Sequence, residues 1–471
     1  MTKSYDVAII GAGSAGLSAL REVRKQTVNF VLINDGSYGT TCARVGCMPS
    51  KALIEAASAF HRSKALKSFG VGGAEQLTVD IPTVLRRVRR LRDGFVEGML
   101  KITDDLKDRS IAGRARFLEP QVLSVGERRV RARKIIIATG SRPIVPQEWA
   151  ALGARMLTSD DLFDQETLPS HMAVIGLGGL GSEIAQALAR LGIEVTGFDA
   201  ADHIAGLSDT NVNRQAVALL RAEFSMQLGQ AAEPSIEGER ICVRAGNESV
   251  VVDKVLVALG RRPNVDQMGI ENLGVVLDER GVPPFNARTM QIADLPVYIA
   301  GDANRHLPLL HEALDEGYIA GYNALRNEPI CFERRVPLAI VFTDPGIAVV
   351  GQPLAELNED EIVIGEVDFS SQARARMAEA NHGLLRVYVD KKSGRLSGAE
   401  MCAPQGEHLA HLLALAVQRK LTVRELLSMP FYHPVLEEGL RTALRDAASK
   451  LGGADVPDLG YCDRMGADAL D

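Results

Sequence analysis

The stretch Tyr5-Asp-Val-Ala-Ile-Ile-Gly11-Ala-Gly13-Ser14-Ala-Gly16 decides how this chain folds. An apolar run of strand length enters three glycines, and Leu17, Leu20 and Val23 then recur at helical spacing. A second β-rich run, residues 28–33, follows. Strand, glycine turn, helix and strand in that order make a dinucleotide-binding unit. Gly11 permits the tight turn, Gly13 lets the backbone approach a pyrophosphate, and Gly16 lets helix and strand pack closely. The helix that opens at Ser14 presents free amides and a positive dipole end to phosphate. At the end of the second strand, where an acidic residue normally holds a ribose hydroxyl, stand Asn34 and then Asp35. Either can take that hydrogen bond.

The unit recurs. His171-Met-Ala-Val-Ile-Gly176-Leu-Gly178-Gly-Leu-Gly181 opens a helix, and the strand 194–198 ends at Asp199. The interval from Gly176 to Asp199 equals that from Gly11 to Asn34, so two dinucleotides are expected. Asp199 would repel a 2′-phosphate and accept from a 2′-hydroxyl, which favours NAD(H) over NADP(H). Each unit also ends on an apolar strand running into glycine. Lys134-Ile-Ile-Ile-Ala-Thr139-Gly140 returns toward the first nucleotide, and Val255-Leu-Val-Ala-Leu-Gly260 closes the second. A further strand, Pro296-Val-Tyr-Ile-Ala-Gly301-Asp302, places Asp302 at its C-terminal end, where a carboxylate can hold a polyol.

Length and composition bound the rest. The 471 residues suggest roughly three domains, with 46% apolar and 24% charged residues and a net charge of −7. That balance argues against nucleic acid as the main partner. No apolar run has the length of a membrane span. A strand beginning near Asp6 leaves no room for a signal peptide, so a soluble cytoplasmic protein is expected. Six cysteines are too few for a disulfide scaffold.

Two of those cysteines lie in Gly39-Thr-Thr41-Cys42-Ala-Arg-Val-Gly-Cys47-Met-Pro-Ser-Lys51. In a reducing compartment such a pair suits catalysis or metal binding, and the absence of a nearby histidine argues against zinc. Gly46, Pro49 and Ser50 suggest a distorted helical turn that brings the sulfurs together. From the pair alone, two buried structural thiols are an equal reading. Helices are expected at 52–68 and 81–106, the second with Arg86, Arg87, Arg89, Arg90 and Arg92 as a solvated face. From about Val336 strands (338–342, 384–390) give way to helices (407–420, 435–450), and the Gly/Asp-rich tail 452–471 is expected to be mobile. In Phe431-Tyr432-His433-Pro434-Val435, followed by Glu437 and Glu438, a histidine with carboxylates four and five residues on can act as a base oriented by an acid. A plain helix-start histidine is the competing reading.

Together these motifs resemble the pyridine nucleotide–disulfide oxidoreductases, most closely the dihydrolipoyl dehydrogenases, over essentially the whole chain. The resemblance implies an α/β fold with two Rossmann-like domains, for FAD (residues 1–145 and 262–335) and NAD (146–261), plus an α+β dimerisation domain (336–451). FAD would be held by Gly11, Gly13, Ser14, Gly16, Asn34, Asp35, Thr41, Lys51, Thr139, Gly140 and Asp302. NAD would be held by Gly176, Gly178, Gly181, Asp199 and Gly260. Cys47 would be the thiol against the flavin and Cys42 the thiol that exchanges with substrate. Lys51 and Glu183 would form an ion pair beside flavin N5. His433, oriented by Glu438, would reach the site from the other subunit of a homodimer. The implied reaction is oxidation of dihydrolipoamide, free or on a lipoyl domain, with NAD⁺. The chain departs from the family pattern at Thr40, Phe431, Val435 and the segment Phe342-Thr-Asp-Pro-Gly346. Other acceptors (another disulfide, a quinone, a metal ion) and a non-turnover flavin-binding sensor are the rival readings. The mercuric reductases of the superfamily lack the base histidine, and their usual C-terminal cysteine pair is reduced here to Cys462.

Overall fold

Val7, Ala8 and Ile9 are fully buried in the strand Lys3–Ile10 of the computed structural model, which describes residues 3–452 and 458–459. A strand apolar on both faces must be covered on both, and this one lies inside a seven-stranded sheet. Across that sheet run Ser110–Ala112, Phe30–Asn34, Lys3–Ile10, Arg128–Ile137, Val122–Val125 and Ala115–Glu119, with Val297–Ile299 also paired to Arg128–Ile137. The strands nearest the glycine turn are parallel. Parallel pairing requires crossovers, and helix α1 (Ser14–Val23) makes the first. Next come the short α2 (Thr41–Arg44), then α3 (Cys47–His61) and α4 (Ile81–Asp104), which pack on one another.

The second sheet repeats the arrangement with five parallel strands, in the order Ser225–Leu228, Glu194–Asp199, His171–Ile175, Lys254–Val257 and Met156–Leu157. Around it lie α5 (Ser159–Leu162), α6 (Gly179–Arg190) and α7 (Thr210–Arg221). Helix α8 (Leu310–Ala324) returns to pack on α1. The third sheet is antiparallel, in the order Leu338–Val341, Gly346–Gly351, Leu396–Ala403, Leu384–Asp390 and Ile362–Asp368. The helices Gly406–Gln418 and Glu437–Lys450 cover it through Leu409, Leu413, Leu440 and Leu444.

Several expectations shift. The strand foreseen at 28–33 runs from Phe30 to Asn34. Thr27 donates to Asp6 at 2.6 Å and accepts from the Asn29 amide at 3.1 Å, so the chain is still turning at Val28. The helix foreseen at 52–68 begins at Cys47 and tightens into a 3₁₀ turn at Arg62–Ala65. The arginines of α4 are not simply a solvated face. Arg87 donates to the Ala52 carbonyl, Arg89 to the Phe163 and Gln165 carbonyls, and Arg92 pairs with Asp93 and Asp164. Long guanidinium arms stitch α4 to α3 and to the loop after α5, a reach that helical periodicity does not report.

The tail lies largely outside the described residues, as does Cys462. Asp458, which is described, pairs with Arg441 at 2.8 Å and Arg445 at 2.7 Å. Among the described residues no helix is long and apolar enough to cross a membrane.

Candidate active site where the three sheets meet

Cys42 sits in α2, whose cap Thr40 accepts a hydrogen bond from the Ala43 amide at 3.2 Å. The chain leaves helical geometry at Val45 and Gly46 and re-enters it at Cys47, the first residue of α3. A Cβ on Gly46 would stand 3.1 Å from the Thr41 carbonyl oxygen and 3.2 Å from Cys42 Cα. That closeness folds the segment back on itself and brings the two sulfurs together. Both are free thiols, and the Cys42 thiol donates to the Cys47 sulfur. The Cys47 thiol is pushed down to about 6, chiefly by that hydrogen bond, against the effect of burial and with help from the Lys51 ammonium. Cys42 is pushed up, because it holds the shared proton and is partly buried. Cys47 is therefore the sulfur that ionises first.

One turn along α3, Lys51 Nζ meets Glu183 Oε2 of α6 at 2.7 Å. The Glu183 side chain is only 4% exposed, and its other oxygen accepts the Phe342 amide at 2.8 Å. The Lys51 ammonium also stands over the Phe342 ring, 4.6 Å from its centroid. Phe342 follows the strand Leu338–Val341, one residue short of the expected end at 342.

The two glycine loops have matching geometry. A Cβ on Gly16 would lie 1.9 Å from the Gly11 carbonyl oxygen, and one on Gly181 would lie 1.8 Å from that of Gly176. Gly13 and Gly178, by contrast, face open space, as a backbone cradling a phosphate must. Asn34 Oδ1 accepts the Ala12 amide at 3.0 Å, and Asp199 Oδ2 accepts the Leu177 amide at 2.6 Å. Each residue thus braces its own glycine loop, a task beyond ribose binding that spacing alone does not reveal. Asp35 turns instead toward Arg114, at 3.8 Å.

Thr139 Oγ1 is buried with no partner among the described residues, beside Gly140 with its open α-carbon. Asp302 Oδ2 accepts from Ser141 Oγ at 2.6 Å. Glu316, at 1% exposure, takes the Gly301 amide at 2.7 Å and so fixes the turn that presents Asp302. Burial raises the Glu316 carboxyl, and Arg334 opposes that rise. Ser14 opens α1, Thr41 opens α2 and Gly260 lies three residues past the strand Lys254–Val257 beside the second loop.

His433 lies apart from this cluster. Its Nδ1 meets both Glu438 oxygens, at 3.0 and 3.1 Å, and its side chain is 72% exposed. The hydrogen bond from His433 holds the Glu438 carboxyl below its ordinary value. Glu437, the other sequence candidate, takes no part in that bond. Among the described residues no contact joins His433 to Cys42 or Cys47. Sequence reading missed Phe342, Ser141 and Glu316. Phe342 carried one signal, its place in a segment that departs from the family pattern.

Residues 5–317 match the family model described as pyridine nucleotide-disulphide oxidoreductase, and residues 337–444 match the model of its dimerisation domain. The chain belongs to the pyridine nucleotide-disulphide oxidoreductases. A dihydrolipoyl dehydrogenase of Thermus scotoductus is 32% identical over 460 residues, covering 94% of this chain and 97% of the relative. One from Haloferax volcanii is 30% identical, covering 94% and 96%. The solved LpdA of Mycobacterium tuberculosis has a TM-score of 0.80 at 25% identity, covering 94% of this chain and 99% of LpdA. The Cu(II) complex of the HOCl-induced flavoprotein disulfide reductase RclA of Escherichia coli has a TM-score of 0.81 at 23% identity, over 94% and 99% of the chains, which is a likeness of fold.

The dihydrolipoyl dehydrogenases to which this chain is similar use FAD and NAD. The residues present fit both. The orphaned Thr139 hydroxyl, the open α-carbon at Gly13 and the second Asp302 oxygen suit a flavin nucleotide, and the second loop with Asp199 suits NAD.

Proposed function

We propose that this chain is a dihydrolipoyl dehydrogenase-type enzyme, oxidising dihydrolipoamide or a lipoyl group on a carrier domain with NAD⁺. Its working form is a homodimer, supported by the matched dimerisation domain. The observation that carries this reading is the fold-back at Gly46 that sets Cys42 beside Cys47, with Lys51 one turn along α3 and held to Glu183 at 2.7 Å. Such a pair distinguishes its two sulfurs, as stepwise thiol–disulfide exchange requires. In this reading the FAD unit lies in two pieces around the NAD unit and the interface unit comes last. Sparse cysteines favour a reducing, cytoplasmic setting.

In the oxidised enzyme Cys42 and Cys47 share a disulfide. His433 of the partner subunit takes a proton from one substrate thiol, and the resulting thiolate attacks Cys42. The Cys42–Cys47 bond breaks, and Cys47 leaves as a thiolate. The second substrate thiol passes its proton to Cys42 and attacks the substrate sulfur of the mixed disulfide, giving a cyclic disulfide and releasing Cys42 as a thiol. Two electrons have moved from substrate to the cysteine pair. A bound FAD, held by the first glycine loop, Thr139 and Asp302, would supply the two-electron link between the Cys47 side and NAD⁺. Lys51 and Glu183 hold fixed charge beside Cys47, and Glu438 orients the His433 ring.

A second reading, reduction of another acceptor by NADH, is favoured by the side chains around His433. Tyr432 is 81% exposed, and Phe431 and Val435 flank the histidine where the family pattern differs. A non-turnover flavin sensor is disfavoured by the polarised cysteine pair and by the His433–Glu438 bond. Steady-state turnover over dihydrolipoamide, oxidised glutathione, coenzyme A disulfide and a quinone separates the readings. Dihydrolipoamide is expected to win by a wide margin in kcat/KM. NADH oxidation that responds only to another acceptor would replace the substrate while keeping the chemistry.

A further inference from the structure

Phe342 touches both charged neighbours of the cysteine pair. Lys51 comes from α3 beside the first sheet, Glu183 from α6 of the second, and Phe342 from the end of a third-sheet strand. The Phe342 amide holds Glu183 at 2.8 Å, and the Phe342 ring faces Lys51 at 4.6 Å.

The following residues leave Phe342 little freedom. The Asp344 amide donates to Gln186 Oε1 at 2.9 Å, and Gln186 Nε2 donates back to the Asp344 carbonyl at 2.8 Å. Arg190 donates to that carbonyl and to Asp344 Oδ2, both at 3.0 Å, while pairing with Glu223 at 2.7 Å. Segment 342–344 is thereby fastened to α6, the helix that carries Glu183. Phe342 is also 39% exposed, so its ring is not there to fill the core.

We propose that Phe342 is a positioning residue. Its ring and its backbone amide together fix where the Lys51 ammonium stands beside the Cys42–Cys47 pair. This rests on the proposed reaction in one respect only, that Cys47 works as a thiolate. The charged groups facing the pair are Lys51, which favours that thiolate, and Glu183, which opposes it. Glu183 is nearly buried and held by the Phe342 amide, and Lys51, one-third exposed on a flexible stem, lies between the Glu183 carboxylate and the Phe342 ring. An aromatic face attracts an ammonium through its quadrupole, and an aliphatic side chain of similar size does not. Losing the ring leaves Lys51 held by Glu183 alone, free to swing about that contact away from the pair, and the Cys47 thiol moves back toward its ordinary value.

The test is a pH titration of Cys47 in the dithiol-reduced, FAD-loaded protein, followed by thiolate absorbance and by the long-wavelength charge-transfer band. Three variants are compared with wild type: Phe342→Tyr, Phe342→Leu and Phe342→pentafluorophenylalanine. The fluorinated ring keeps the shape but inverts the quadrupole, so it decides the matter even should Phe342→Leu fail to fold. The expected result is a midpoint raised by about half a pH unit in the Leu and fluorinated variants and unmoved in Tyr. A fluorinated variant that titrates like wild type overturns the proposal, because packing alone would then account for the residue. The titration reads Cys47 whether or not the pair cycles. Failure to find a Cys42–Cys47 disulfide by mass would thus sink the proposed reaction and leave this test standing.

Discussion

Lys51 and Glu183 lie 132 positions apart in sequence and 2.7 Å apart in space. Only the packing of α3 against α6 joins them, so the pair reports that the two nucleotide units are correctly docked. The Glu183 carboxylate is almost wholly buried while Lys51 is one-third exposed. Lys51→Met therefore strands a buried charge, whereas Glu183→Gln leaves an ammonium that can reach water. We expect Lys51→Met to lower the thermal midpoint more than Glu183→Gln does. The double variant should regain part of the loss, with a coupling of about 1–3 kcal/mol. Differential scanning calorimetry of the four proteins measures it, and additive effects would show that the pair is not coupled.

Cys47 should titrate with a midpoint of about 6 in the reduced protein. The sign follows from the cause, since a group held below its ordinary value is charged above that midpoint and neutral below it. The charge-transfer band should therefore be present at neutral pH and fade as pH falls through 6. Cys42→Ala removes the largest favourable contribution and should move the midpoint upward. Cys47→Ser should abolish the band. A band that survives Cys47→Ser would reverse the thiol roles.

The glycine loops separate the two cofactors. A Cβ at Gly16 or Gly181 would stand within 2 Å of a carbonyl oxygen, so helix and loop must part. Such overpacking costs about 1–3 kcal/mol locally and spoils the cradle. Gly16→Ala should lose FAD during purification. Gly181→Ala should keep the yellow colour yet lose saturable NADH turnover. Ultrafiltration with absorbance and NADH kinetics check both, and equal loss of FAD in the two variants would contradict the division of labour.

The legible part of this molecule is local. Glycine spacing, two apolar strands and the stretch from Gly39 to Lys51 carry their meaning within a few residues, because turn sterics and thiol chemistry act at short range. Asn34 and Asp199 were placed correctly at the strand ends. Their bonds to the Ala12 and Leu177 amides depend on how strand and loop close in space. The arginines of α4 show the same limit, since periodicity gives the face a side chain occupies and not what a long guanidinium meets across a domain boundary. Phe342 is the clearest case. Its importance comes from Lys51 and Glu183, and no spacing rule links residues drawn from α3, α6 and the end of the strand Leu338–Val341.

Asp199 offers a clean substitution because its two tasks use different properties. Asparagine can still accept the Leu177 amide, so Asp199→Asn should fold normally. It removes the negative charge that repels a 2′-phosphate and weakens the bond to a 2′-hydroxyl. Preference for NADH over NADPH should shrink about tenfold, the worth of one charged hydrogen bond. Steady-state kcat/KM with each nucleotide reads this directly. A wild-type preference for NADPH would refute the assignment.

His433 is held by Glu438 yet open to solvent, and it touches neither cysteine among the described residues, so the proposed role as base requires it to act on the cysteines of a partner subunit. His433→Ala should cut dithiol oxidation by about 10²–10⁴, the usual worth of a positioned base. Glu438→Gln should cost less, since the ring stays and only its charge support goes. Co-expression decides the geometry. A heterodimer of Cys42→Ser and His433→Ala subunits retains one complete site if His433 acts across the interface, because the intact histidine of one chain then faces the intact cysteines of the other. If His433 served its own chain, both sites of that heterodimer would be broken and the activity would stay at the level of the parent variants.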